Sequence, residues 1–169
     1  FSSATLDRVL ARGAAHARMI ALAFGALLAV ATAALLIWLV LKDRLFVFYA
    51  ALFGLQALYI AYLSGQGFDW PWLSVALPLA SHAWNVPAAL SGAAACLFVR
   101  EIADLRRYSA RVYRAFGWLA VVFTLLAFAN FLSRDGFGGV LAVIGNLVFL
   151  ATSVFTLLTA FLAWRRGSR

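Results

Sequence analysis

The 169-residue chain has little of what enzymes and soluble domains use. Its one cysteine, Cys96, excludes an internal disulfide and a multi-cysteine metal site. Its two histidines, His16 and His82, are too few and too badly placed for a heme. A bis-histidine site needs two ligands facing each other, and His16 precedes the first apolar run. Zinc needs three or four protein ligands, and no cluster supplies them. The single lysine, Lys42, stands at the end of an apolar run, whereas a retinal Schiff base needs a lysine in mid-span. Acidic residues number only six, Glu101 and five aspartates, all near expected helix ends. No nucleophile–base pair, phosphate loop or carboxylate dyad is present. Catalysis within the segment, a cofactor, a metal and a nucleic-acid partner are therefore not expected.

Charge as a whole is scarce: 12% of residues, against about 25% in soluble domains. Hydrophobic residues reach 66% and mean hydropathy is +0.96. They fall in runs of about 20, the length that crosses a bilayer as a helix. The expected fold is all-α, an integral membrane bundle of about five transmembrane helices. Thirteen of the fourteen basic residues are arginine, which together with the abundant alanine points to a GC-rich bacterial genome. The chain begins at Phe1 and ends in Arg165-Arg166-Gly167-Ser168-Arg169, and reads as a piece of a longer protein.

Residues 1–18 are polar enough to lie outside the bilayer, with Arg8, Arg12 and Arg18 at the spacing of an interfacial helix. Spans are expected at about 19–41, 45–63, 73–99, 112–132 and 140–164, with 165–169 as a polar end. In the first, Gly25, Ala29 and Ala33 form a small-residue stripe suited to close helix approach. In the second, Tyr49, Gln56, Tyr59 and Tyr62 form a side that should avoid lipid. The third holds Pro78 and Pro87, which predict a kink or a re-entrant start, and Ala88, Gly92 and Cys96 four apart. Asn130 and Asn146 are expected to hydrogen-bond across the last hairpin.

With the N-terminus outside, ten basic residues fall in inside segments and four in outside ones. The positive-inside rule then favours N-out and C-in. Two groups of residues are candidates for function. His82, Trp84 and Asn85 lie beside the third-span prolines, where freed carbonyls and costly polar groups meet. Trp70 and Trp72 precede that span as interfacial anchors or a ligand lid. Arg100, Glu101, Arg106 and Arg107 belong to a stretch with seven charges in fifteen residues. They are expected to form a helical extension into the cytosol that couples to other parts of the protein, or else to anchor topology and meet anionic lipid.

Lys42-Asp43-Arg44-Leu45-Phe46-Val47-Phe48-Tyr49-Ala50, Tyr59, Gly65-Gln66-Gly67, Trp84-Asn85 and Leu97-Phe98-Val99-Arg100-Glu101-Ile102-Ala103-Asp104-Leu105-Arg106-Arg107 together carry a resemblance. From about Ile20 to Trp164 the chain resembles the membrane domain of the bacterial DISM-type seven-transmembrane receptors, receptors with diverse intracellular signalling modules. Ala103 and Ala110 stand where that family usually has leucine and proline. The resemblance implies a carbohydrate-binding-like periplasmic sensor domain before Phe1. It implies two further helices after Arg169 and a cytosolic output domain, commonly a diguanylate cyclase, a histidine kinase or a phosphatase. It also implies a homodimer in the bacterial inner membrane. The function expected is transmembrane signal transduction. The alternatives are a transporter or channel subunit, disfavoured by the lack of mid-span acidic residues and of an inverted repeat, and a structural subunit of a membrane enzyme complex.

Overall fold

The computed structural model describes residues 3–74, 83–133 and 137–167, and every regular element in them is helical. Helix α1 runs Ser3–Leu41, α2 Arg44–Leu63, α3 Asn85–Ile102, α4 Leu105–Tyr108, α5 Ala110–Leu132 and α6 Gly138–Gly167. A 3-10 turn, Gln66–Asp69, follows α2. The 39 residues of α1 would extend about 58 Å at 1.5 Å per residue. That is about twice the 30 Å hydrocarbon core, and no break separates the polar start from the apolar part.

Four helical stretches are long and apolar enough to cross a membrane: His16–Leu41, Arg44–Leu63, Ala110–Leu132 and Gly138–Arg165. Helix α3 is not among them. It carries Asn85, Ser91, Arg100 and Glu101, and it is the most enclosed helix, with Gly92, Ala93, Ala94 and Cys96 all buried. Its length of 18 residues still corresponds to about 27 Å. Helices α2, α5 and α6 surround it, and α1 packs outside α2. A helix shielded by protein can hold polar groups that lipid would penalise.

Local chemistry sets the element ends. Lys42 is left-handed (φ 54°) and Asp43 caps α2 by accepting a hydrogen bond from the Leu45 N–H at 2.9 Å. The link between α1 and α2 is therefore two residues long. Asp104 is also left-handed (φ 40°) and turns the chain from α3 into α4, after which the Ser109 hydroxyl accepts from Val112 N–H and caps α5. Pro87 does not kink a helix among the described residues. It lies in the first turn of α3, where a missing N–H has no intrahelical acceptor to lose. Pro78 and residues 75–82 lie outside the described residues.

The core sits between α3 and α5. Phe116 and Phe123 of α5 are completely buried, against Ala93 and Cys96. Gly92 is the notch of this wall. A Cβ there would come within 2.8 Å of both the Phe123 and the Phe149 rings, which themselves pack 4.6 Å apart. Phe155 of α6 meets Phe116 at 5.1 Å. The approach of α1 to α2 uses Ala31 and Ala34, which are buried, with Ala31 set 4.0 Å from the Cβ position of Gly54. Gly25, Ala29 and Ala33 face outward, and nothing lies within 4 Å of the Cβ position of Gly25.

Gly92→Ala should lower stability by about 1–3 kcal/mol through overpacking, whereas Gly25→Ala should leave it unchanged or higher. Unfolding of the two variants in mixed micelles measures the difference.

Candidate functional site

Alternating helix directions bring the ends of the spans together in two layers. Lys42, Arg44, Arg100 and the arginines of α4 and early α5 mark one end, termed here the basic end. The start of α3, the end of α5 and the start of α6 meet at the other. There Asn85, 6% exposed, and Asn130, 3% exposed, face each other. Asn85 Nδ2 donates to Asn130 Oδ1 at 3.0 Å and lies 3.4 Å from the Gly138 carbonyl, which also accepts. Asn130 Nδ2 donates to the Leu126 carbonyl of its own helix at 2.8 Å. That local bond orients the amide so that its oxygen points at α3. One side chain of α3 thus holds both α5 and α6.

Asn146 does not pair with Asn130. The two share the wall of a small cavity, about 30 Å³, with Asn85, Trp84 and Phe149. Asn146 also lines a larger cleft of about 350 Å³ between α2, α3 and α6, with Gln56, Tyr59, Trp84 and Ser91. Trp84 stands edge-on to Tyr59 at 6.1 Å. The polar side of α2 expected to avoid lipid therefore faces protein. Tyr49 packs on Phe98 of α3 at 5.3 Å, and Tyr62 donates its hydroxyl proton to the Leu73 carbonyl at 3.2 Å. The cleft offers amide, phenol, indole and hydroxyl groups and no formal charge, so its chemistry is hydrogen bonding and aromatic contact.

Trp84 and Asn85 thus belong to one site with Asn130 and Asn146. His82 lies outside the described residues. Trp70 packs against Phe24 of α1 at 5.6 Å and against Trp72 at 6.1 Å, and neither indole lines the cleft. Trp72 is 75% exposed, as an interfacial anchor would be.

The charged residues of the basic end divide. Arg100 turns inward to α5. Its Nη2 donates to the Tyr113 hydroxyl at 2.8 Å, its guanidinium carbon lies 4.1 Å from that ring's centroid, and its Nε is buried without a partner. Glu101 is half-buried. Arg106 and Arg107 are exposed on α4, with Arg107 paired to Asp104 at 3.3 Å. The four do not form one straight extension, because α3 stops at Ile102 and the left-handed Asp104 redirects the chain. Such an exposed pair as Arg107–Asp104 is worth little. Among the described residues no three His, Cys, Asp or Glu side chains gather where a metal ion could be held.

The partners of Asn85 and Arg100 escaped the sequence reading. The alternation of spans places the end of α5 level with the start of α3, so Asn130 was an eligible partner for Asn85. Nothing in the residue pattern distinguishes it from Asn146.

A family described as 7TM diverse intracellular signalling matches residues 17–169. The chain belongs to that family, and this segment is a receptor-type, multi-pass membrane domain. No curated protein and no solved structure matches it.

The buried amide pair should show coupling. Asn85→Leu and Asn130→Leu should each destabilise, and the double variant by less than their sum. The expected coupling is about 0.6 kcal/mol, with about 1.7 as an upper value for membrane helices, read from a double-mutant cycle of unfolding free energies.

Proposed function

We propose that this domain is the membrane-spanning transducer of a bacterial sensory receptor in the inner membrane. It couples a periplasmic sensor or ligand to a cytosolic output module of the same protein. The observation that carries the reading is the unequal attachment of the helices. Helices α3 and α5 are fastened near both ends, by Asn85 to Asn130 and by Arg100 to Tyr113, with Phe116 and Phe123 between. They form one stiff unit. Helix α6 meets that unit through Val148, through Phe149 at the Gly92 notch and Phe155 on Phe116, and through the Asn85–Gly138 bond.

Helix α6 also touches both ends of the path a signal must travel. Its first half supplies Asn146 and Phe149 to the polar cleft. Its second half supplies Phe155, Thr159 and Leu162 to an apolar groove of about 390 Å³ at the basic end, beside Leu105 and Tyr108 of α4. A group that binds the cleft better in one position of α6 would shift its population toward that position. The groove beside α4 would change with it. Arg106 and Arg107, exposed on α4, are the proposed contacts to the output module, and Glu101 tunes the turn that carries them.

In this reading the basic end faces the cytosol. Alkaline phosphatase fused after Gly67 should be active and after Arg107 inactive, as measured in cells. The reverse pattern refutes the orientation.

In the full-length protein, Phe149→Ala should change the output level while membrane insertion and expression stay normal. Glu101→Gln and an Arg106/Arg107 double alanine should do the same from the other end of the path. Wild-type signalling in all three would overturn the reading and leave the arginines as topology determinants only.

A further inference from the structure

Arg100 presents a problem that its own contacts do not solve. A guanidinium is always charged, and in an apolar setting it needs a counter-charge. Here Nη2 is taken up by the Tyr113 hydroxyl, Nε has no partner, and no carboxylate pairs with the group among the described residues. The remaining terminal nitrogen, Nη1, lies over Gly117, where a Cβ would stand 3.0 Å away. The missing side chain at 117 keeps the guanidinium at the head of an open groove on the outer side of the α3–α5 pair.

That groove has a volume of about 370 Å³ and is lined by Leu97 and Arg100 of α3 and by Gly117, Val121, Thr124 and Leu125 of α5. Gly117 to Leu125 spans about 12 Å along the helix. Its floor is apolar and its α5 wall faces outward, with Val121, Thr124 and Leu125 exposed. Arg114 stands one turn nearer the basic end on the same stripe of α5. Its Nε donates to the Ala110 carbonyl at 3.3 Å, which anchors the stem of an exposed side chain. Arg111 lies a turn further on, also exposed, and Trp118, 70% exposed, flanks the stripe at the depth where indoles anchor. No acidic residue lines the groove.

We infer that this groove is a binding site for an anionic phospholipid of the leaflet at the basic end, its headgroup held by Arg100 and Arg114 and one acyl chain lying along Gly117, Val121 and Leu125. Charge complementarity selects the headgroup: the Arg100 guanidinium heads a groove that no carboxylate lines, Arg114 follows one turn away on the same stripe of α5, and a phosphate can accept from several guanidinium donors at once. The apolar floor directly below selects a molecule whose charge is joined to a hydrocarbon chain. A soluble anion would satisfy the arginines and leave the groove facing lipid at random. Arg100 also fastens α3 to Tyr113, so a bound headgroup would compensate a charge at the α3–α5 interface itself.

The test is native mass spectrometry of the full chain after equilibration with equal amounts of dioleoyl phosphatidylglycerol and dioleoyl phosphatidylcholine. The wild type should retain the anionic phosphatidylglycerol in preference. Arg114→Gln, an exposed substitution, should reduce that preference about fivefold, the effect of one basic residue near an anionic headgroup. Arg114→Lys should keep most of it. Gly117→Leu, which fills the groove beneath Arg100, should reduce retention of both lipids. Thermal unfolding in phosphatidylcholine alone is the control for folding, and Arg114→Gln decides the matter even if Gly117→Leu is unstable. Equal retention of the two lipids by the wild type, or an unchanged preference in Arg114→Gln, overturns the inference.

Discussion

The packing of two large rings against a wall of small residues is what the rest of the bundle is arranged around. Phe116 and Phe123 of α5 are wholly enclosed because α3 presents Gly92, Ala93 and Cys96 to them. In a bilayer this matters more than it would in water. Lipid tails are as apolar as the side chains, so burial alone does not draw helices together, and close van der Waals packing and interhelical hydrogen bonds must do it. A glycine that admits two rings at once, Phe123 from α5 and Phe149 from α6, is such a contact. It sets the distance between three helices with a single position.

Once that distance is set, the polar contacts near the two ends of α3 follow. Asn85 reaches Asn130 and the Gly138 carbonyl, and Arg100 reaches Tyr113, because α3 and α5 already lie side by side. Each contact answers a cost that lipid would impose on an unpaired amide or guanidinium. The same arrangement accounts for α3 being the least apolar of the long helices. Its neighbours supply the hydrophobic surface, and α3 is free to carry asparagine, serine, arginine and glutamate. The outer helices do the opposite: among the described side chains α1 exposes leucine and valine from Leu22 to Leu41, and α6 exposes leucine, valine and phenylalanine from Val140 to Leu162.

The asymmetry between a stiff α3–α5 pair and a lightly held α6 bears on receptor behaviour. Packed interfaces change between discrete arrangements rather than deforming continuously. A helix held by Val148, Phe149, Phe155 and one amide bond has fewer interactions to exchange than α3 and α5 have with each other. The cleft is lined by uncharged hydrogen-bonding and aromatic groups.

The residues alone determined the class of the molecule and the order of its spans. Charge scarcity and apolar runs of bilayer length admit only a membrane bundle, and the clustering of arginine marks which ends lie together. They also placed Lys42-Asp43-Arg44 between the first two apolar runs, whereas the capping of α2 by Asp43 came from the structure. Apart from the polar side of α2, which face of each helix meets which neighbour was not legible. Gly25, Ala29 and Ala33 make as good a stripe as Gly92 and Cys96, yet only the second is packed, because a run of small residues carries no direction of its own where the surrounding lipid is as apolar as a neighbouring helix. Pro87 looked like a kink, and became a first-turn residue because the helix begins at Asn85. Asn130 could have met Asn146, and was paired with Asn85 by the depth at which α3 starts. Tertiary packing decided these matters because they depend on distances between helices, which no single run of residues contains.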